Sequence, residues 1–288
     1  MAVKVIYTND YGASVEFSKN SGIRITDIDG LSANEIDLSE TTVTNQVGSS
    51  ITGASIKSKD LTIEGRYAYK PEIRKRLLAV ILPGVAGKLR YINDKEGVDV
   101  YWDAQPSKTP EISLNPVWQT FQFTLKLPYP YPRSSEPQII RFSGMTSNFK
   151  FKQSYSSTVE WTISDKDISH LKVITNKGAL STGFVITFEA LTDDIVAPTV
   201  VNVDTRDYMT FTELTLAKGD ILTVNTNEGQ RGAYLTHNGE KSNVFSLMDY
   251  GSTFFLLDTG DNTLRSGASS NEDNLAVTLT FDEIVAGV

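Results

Sequence analysis

Four of the ten prolines fall inside eleven residues, Leu127-Pro-Tyr-Pro-Tyr-Pro-Arg-Ser-Ser-Glu-Pro137. Proline fixes φ, lacks the donor of a sheet ladder and pushes its predecessor toward extended backbone, so neither a helix nor a central strand can run through this stretch. It reads as a semi-rigid connector. The domain boundary is placed there: residues 1–132 form one domain and 133–288 another, with a linker over about 127–137. A chain of 288 residues, 40% of them hydrophobic, has material for two cores, and each half is expected to fold alone.

The half before the connector alternates. Val117–Leu127 puts Val117, Phe121, Phe123, Leu125 and Leu127 on one face and polar residues on the other, the period-2 signature of a half-buried strand. Asp60–Tyr69 repeats it, with Leu61, Ile63, Tyr67 and Tyr69 on a common face. Shorter strands are expected at Val3–Tyr7, Ser14–Phe17, Lys88–Ile92 and Val98–Trp102. Between Lys70 and Gly84 the period changes: Ile73, Leu77, Val80 and Ile81 fall on one helical face, Pro71 suits a first turn and Pro83-Gly84 a stop. The spacing predicts an amphipathic helix packed on a sheet.

After the connector no comparable helix is found. Thr158–Ile163, Leu171–Thr175, Phe184–Glu189, Ile221–Asn225, Gly232–His237, Thr253–Leu257 and Leu275–Phe281 are short β-branched or aromatic runs separated by glycine, asparagine and aspartate. Asn238-Gly239 favours a type I′ hairpin between Ala233–Leu235 and Val244-Phe245, and Lys218–Asp220 and Thr259–Asn262 read as turns. Seven or more such strands point to an all-β sandwich.

Composition narrows the chemistry. With 27 basic and 35 acidic residues the net charge is −8, which opposes general affinity for nucleic acid or anionic lipid. The longest apolar run, Leu77–Leu82, is too short to span a bilayer, and Met1–Tyr7 lacks the apolar core of a signal peptide, so neither membrane insertion nor secretion by that route is expected. There is no cysteine, and His170 and His237 are too far apart in sequence to resemble a paired zinc motif. No cofactor, metal or catalytic residue is assigned, and the chain is not expected to be an enzyme.

Local motifs have plain readings. Asp27-Ile-Asp29-Gly30 lacks the further oxygen ligands of a calcium loop and reads as a turn. In Gly84-Val-Ala-Gly87-Lys88 the glycines are too close for a phosphate loop, and Leu89 replaces the metal-binding hydroxyl. Asp165, Asp167, Asp193 and Asp194 lie in polar segments where solvation explains them, and His237 sits beside a turn. Tyr208, Phe211, Tyr234, Tyr250, Phe254 and Phe255 alternate with polar neighbours, which favours core packing over a sugar platform. Arg74-Lys75-Arg76 is a solvated helix face or a charged inter-subunit contact.

Ser39–Lys59 stands apart. Rich in threonine, serine and glycine and turning near Gly48-Ser49-Ser50, it fits a protruding hairpin whose Val43, Val47, Ile51 and Ile56 offer something to bury against a neighbour, a candidate subunit-interface arm.

The order Tyr7-Thr-Asn9, Val15-Glu-Phe17, Gly48-Ser-Ser-Ile-Thr-Gly53 and Lys59-Asp-Leu-Thr-Ile-Glu-Gly65 resembles the distal tail (Dit) proteins of long-tailed phages and prophages of Gram-positive bacteria. Leu89-Arg-Tyr91 and Phe121-Gln-Phe-Thr-Leu125 running into the prolines continue the likeness. Leu216–Thr226 and Phe254–Leu264 are similar to the galectin-like sandwich that ends many members. The resemblance implies a mainly β chain: an N-terminal β-sandwich or barrel-like domain with one helix and a hairpin arm, then a galectin-like β-sandwich. It implies a virion protein made in the bacterial host cytoplasm, forming a hexameric ring at the tail tip between the tail tube protein and the adhesion proteins. The sugar-reading run of true galectins is missing, since His237–Lys241 turns where that strand would be. A carbohydrate-binding adhesin, with cell-wall sugar as partner of the C-terminal sandwich, is the alternative. A glycoside hydrolase using two aspartates is a third reading.

Overall fold

Alternation in two long strands builds the centre of the first unit. The computed structural model describes residues 3–32, 34–42, 47–147, 164–168 and 170–288, with backbone only for 143–147 and 164–168. The chain divides into two units, Met1–Ser135 with Ile284–Val288, and Glu136–Glu283. In chain order the first contains β1 (Val3–Asn9), β2 (Ser14–Phe17), β3 (Ile23–Asp29), β4 (Ile36–Thr41), β5 (Ser50–Ile56), β6 (Lys59–Ala68), α1 (Pro71–Val80), β7 (Gly87–Asn93), β8 (Val98–Pro106), β9 (Glu111–Ile112), β10 (Trp118–Leu127) and β11 (Arg133–Ser134).

Nine of these strands form one antiparallel sheet in the order β2-β1-β7-β8-β10-β6-β3, with β9 added to β10 and β11 to β8. The sheet folds over at β8: Val98–Ala104 pair with β7, while Gln105 and Pro106 pair with β10. Its two ends meet, because Ser18 bridges Ile23 and the Phe17 ring lies 5.5 and 5.6 Å from those of Phe121 and Phe123. The result is the barrel-like sandwich expected from sequence. Leu61, Ile63, Tyr67, Phe121, Phe123 and Leu125 point into its core.

The helix runs over Pro71–Val80 and buries Leu77, Val80 and Ile81, with Ile73 half-buried on the same core. It ends before Pro83 because Ile81 leaves helical backbone, and Asn9 Nδ2 donates to the freed Val80 carbonyl at 3.1 Å. Asp27 and Asp29 belong to β3 rather than to the expected turn. The turn follows at Gly30, whose φ is +85° and where a Cβ would meet the Asp60 carbonyl oxygen at 2.5 Å.

The proline-rich stretch is no free connector. Trp102 Nε1 donates to the buried Pro130 carbonyl at 3.0 Å, Arg133 Nη1 donates to Asp103 Oδ2 at 2.7 Å, and Arg133-Ser134 pair with β8 as β11. Nor does 284–288 stay with the second half: Ile284 bridges Arg133, Val285 N donates to the Pro132 carbonyl at 2.9 Å, and Val285 and Val288 pack on the first core. A cut at residue 132 would therefore strip the first unit of side chains it buries.

The second unit contains β12 (Gln138–Arg141), β13 (Ser143–Ser147), β14 (Ser164–Ile168), β15 (Leu171–Asn176), β16 (Phe184–Ala190), β17 (Ile195–Val196), β18 (Thr199–Asn202), β19 (Tyr208–Thr210), β20 (Thr215–Leu216), β21 (Ile221–Asn225), β22 (Gly232–His237), β23 (Glu240–Asn243), β24 (Gly260–Gly267) and β25 (Leu275–Phe281). A six-stranded sheet, β12-β25-β16-β21-β22-β23, faces a four-stranded one, β15-β24-β18-β19, across a single apolar core. Asn238 and Gly239 both have positive φ, as a type I′ turn requires, and that two-residue turn fixes His237 opposite Glu240. The returning strand is thus Glu240–Asn243, ahead of the expected Val244-Phe245. Thr253–Leu257 is not a strand, Leu257 making only an isolated bridge to Thr182; the next strand, β24, starts at the expected turn residue Gly260, and the Asn262 side chain donates to the Asp258 carbonyl at 2.8 Å. Thr158–Ile163 lies outside the described residues.

Two outcomes follow from the first core. Leu77→Asp buries an unpaired charge and should cost more than about 4 kcal/mol, leaving the unit molten in thermal melts. Arg74→Met should be neutral or raise the melting temperature, because Arg74 Nη1 is buried without a hydrogen-bond partner. Burial, aided by the Asp10 charge, also pushes the Tyr7 hydroxyl from 10.0 up to about 12. Stability linked to this neutral hydroxyl is complete below pH 10 and is lost as pH rises toward 12. Tyr7→Phe should flatten that alkaline loss in denaturant titrations, and an identical slope in both proteins would contradict it.

Candidate subunit interface

β4 and β5 pair only with each other, as a ribbon outside the main sheet. An isolated hairpin is marginal in water, so its root matters. Lys59, buried where β6 begins, donates through Nζ to the Leu31 carbonyl at 2.8 Å and to Asn34 Oδ1 at 3.2 Å, and burial pulls its ammonium below the usual lysine range. Asn34 Nδ2 in turn donates to the Ala286 carbonyl at 3.2 Å. One lysine thus ties both legs of the ribbon to the returning chain end.

The register explains the ribbon's two faces. Ile36 stands opposite Ile56 and Leu38 opposite Ala54; a bulge at Thr52 then brings Ile51 opposite Glu40. Without that extra residue, period-2 alternation would turn Ile51 away from Ile56. With it, Ile36, Leu38, Ile51, Ala54 and Ile56 share one face, and Glu40 is its charged member. The other face carries Asp37, Ser39, Thr41, Ser50 and Ser55, with Lys57 Nζ 2.7 Å from Asp37. All four large aliphatic side chains on the apolar face are exposed, Ile51 at 62%.

Of the residues expected to form the arm's contact, Ile51 and Ile56 lie together on this face. Val47 is fully exposed in the turn, and Val43 lies outside the described residues. Ile36 and Leu38 were missed because the ribbon starts before Ser39; the alternation in Ile36-Asp-Leu38-Ser was the available signal.

The other candidates are spread out. Asp193 Oδ2 accepts from Asn274 Nδ2 at 2.7 Å, and the Asp194 carbonyl accepts from Asn271, so both serve turns. His237 Nδ1 lies 2.6 Å from Oδ1 of the buried Asp220, whose other oxygen accepts from Ala217 N. Phe211 and Phe255 are core residues, and Tyr250 is fully exposed. Among the described residues no group of three or more acidic or histidine side chains could hold a metal.

Residues 177–284 match the family model of the siphovirus-type tail component, C-terminal domain. No curated protein matches the chain significantly. Among solved structures, the Dit protein of phage SPP1, described as a paradigm of the hub adsorption apparatus in Gram-positive infecting phages, superposes with a TM-score of 0.63 at 10% identity over 97% of this chain and 98% of that one. A chain of the phage P2 baseplate in its activated conformation with calcium gives 0.57 at 13% identity over 100% of both chains. The strontium form gives 0.57 at 12% over 99% of both. At these identities the structural likeness is one of fold. Residues 177–284 are thus similar to the siphovirus-type tail component C-terminal domain, and the chain as a whole has the fold of the Dit protein of phage SPP1.

Proposed function

We propose that the chain is a non-enzymatic hub of a siphophage tail tip. Copies of the first unit close a hexameric ring that joins the tail tube to the adhesion device, and the second unit decorates the rim. The observation that carries this reading is the arm: a ribbon with a mostly apolar face that no described residue of its own unit covers, on a chain with the hub fold. Such a face is costly in water and is stable once a partner covers it. A closed ring requires a surface and its complement on every subunit, and a projecting ribbon supplies one half of that pair.

Replacing residues 37–55 by an Asn-Gly turn should leave a folded protein, with thermal melts close to those of the parent, that no longer assembles. Light scattering coupled to size exclusion reads the difference. A shortened protein that still forms the parent's oligomer would sink the arm's role.

One observation favours a second reading, sugar binding by the second unit. Phe245 is half exposed and stacks on Phe254 at 5.8 Å and 14°, Tyr250 five residues on in sequence is fully exposed, and aromatic faces of this kind suit sugar rings. If the adhesin reading is right, the protein binds one member of a cell-wall glycan panel, and both Phe245→Ala and Tyr250→Ala abolish that binding. Silence across the panel leaves the hub alone.

A further inference from the structure

The second unit holds a buried carboxylate to which the hub reading gives no role. Asp220, 4% exposed, ends the turn before β21 and is fixed there by backbone contacts. Its Oδ2 accepts from Ala217 N at 3.0 Å, its own N donates to the Ala217 carbonyl at 2.9 Å, and its carbonyl accepts from Ala190 N at 3.2 Å. Its Oδ1 faces His237. Ile221 pairs with Thr236, so Asp220 and His237 stand opposite each other one step along β21 and β22, and Nδ1 lies 2.6 Å from Oδ1.

The contact runs one residue further. Asn238 Nδ2 donates to His237 Nε2 at 3.0 Å. An amide nitrogen has no lone pair to offer, so Nε2 is the acceptor and the ring proton sits on Nδ1, which donates it to Asp220. Three side chains thus link a rigid buried carboxylate to an exposed turn residue.

That turn residue is chemically labile. Asn238 is the only asparagine in the sequence followed by glycine. In an Asn-Gly pair no side chain shields the glycine nitrogen, which can attack the asparagine Cγ. The N–Cγ bond forms as the glycine N–H gives its proton to water, and the Cγ–Nδ2 bond breaks as Nδ2 takes a proton back. Ammonia leaves, and a five-membered succinimide remains. One water molecule then opens it to aspartate, or to isoaspartate, whose backbone is longer by one CH2. The Gly239 N–H makes no hydrogen bond among the described residues, and a Cβ at Gly239 would meet nothing within 4 Å. The buried Asn9, Asn176 and Asn262 differ in both respects: Asp10, Lys177 and Thr263 follow them, and their amides donate to backbone carbonyls inside the fold.

The closed turn keeps the reacting atoms apart. A type I′ turn fixes the backbone on both sides of the Asn238–Gly239 peptide, and the succinimide forms only when ψ of Asn238 rotates out of it. β23 is the last strand of its sheet and all four of its residues are exposed, so strand pairing alone holds the turn weakly.

We propose that Asn238 is a deamidation site and that Asp220 and His237 form the latch that sets its rate by holding the turn shut. The reaction runs once. Its product puts a carboxylate where the amide stood, leaving the His237 ring between two carboxylates, and the isoaspartate form breaks the two-residue turn that sets His237 opposite Glu240. Release of β23 opens β22, the strand of Tyr234 and Leu235, as a new edge of the six-stranded sheet. This slow, one-way control on a sheet edge is independent of ring formation.

Trypsin cuts after Arg231 and Lys241, so digests of the full chain give peptide 232–241, in which Asn238 is the one asparagine. Mass spectrometry of short digests taken during incubation in neutral buffer reads the conversion, and chromatography separates aspartate from isoaspartate. The synthetic peptide 232–241, which has the Asn-Gly pair without Asp220, should convert fastest. The folded parent should be slower by about tenfold or more, and His237→Ala should recover about tenfold, the factor that one hydrogen bond of ordinary strength is worth. Glu240→Ala, in the same hairpin but outside the latch, should match the parent. Circular dichroism melts equal to the parent's exclude global unfolding, and His237→Phe, which keeps a ring but loses both hydrogen bonds, replaces His237→Ala if that variant melts early. A parent as fast as the peptide overturns the proposal, because nothing then holds the turn. So does a His237 variant that converts no faster than the parent, including one in which neither gives product; a variant slower than the parent would make the imidazole a proton carrier instead of a latch.

Discussion

Phe17 closes the first unit. It sits at the margin of a sheet whose centre holds Phe121 and Phe123, and it reaches them because β8 changes partner along its length and folds the sheet over. Aromatic contacts of this kind contribute about 0.5 to 1.5 kcal/mol beyond their buried area, and they seal the core beneath the turn that joins β2 to β3, where Ser18 bridges Ile23. The site has no slack. A Cβ at Gly65 would stand 2.4 Å from Phe121 Cζ and 2.5 Å from the Arg24 carbonyl oxygen, so the ring has its place only because β6 carries a glycine there. With the sheet closed, β4 and β5 are left to project as a separate pair.

Much of this was legible in the sequence because one physical rule, alternation at period 2, governs strands with one wet face. It located β6, β10 and the shorter strands of the first unit, and a change of period located the helix with its buried Leu77, Val80 and Ile81. The rule fails where a strand ends, since it carries no information about length. Tyr69 and Val117 continue the core pattern in sequence but lie just beyond the last paired residues, and so face water. It fails again at bulges, where Thr52 shifts the phase of β5 and Ile51 changes face. Proline misled in a different way. Its restricted φ rules out a central strand, yet extended backbone without donors can still lie along a core, and Pro130 and Pro132 do. The return of Ile284–Val288 left no local trace, because a short apolar end gives no hint of which core it joins.

The candidate interface shows the same division. That Ser39–Lys59 forms a ribbon was readable from its turn and composition; which side chains share a face was not, because one inserted residue decides it.

The bridge between Arg133 and Ile284 has a consequence of a different kind. The chain leaves the first unit through β11 and re-enters it at the residue hydrogen-bonded to β11, so everything from 136 to 283 is spliced into one fold between two neighbouring backbones. Exit and entry are about one strand spacing apart, roughly 5 Å. Any domain whose own ends lie that close can occupy the gap without disturbing Trp102, Pro132 or the root of the ribbon. Such a junction works as a cassette, in which the inserted sandwich can be exchanged or enlarged over evolution while the scaffold that receives it keeps its sequence constraints.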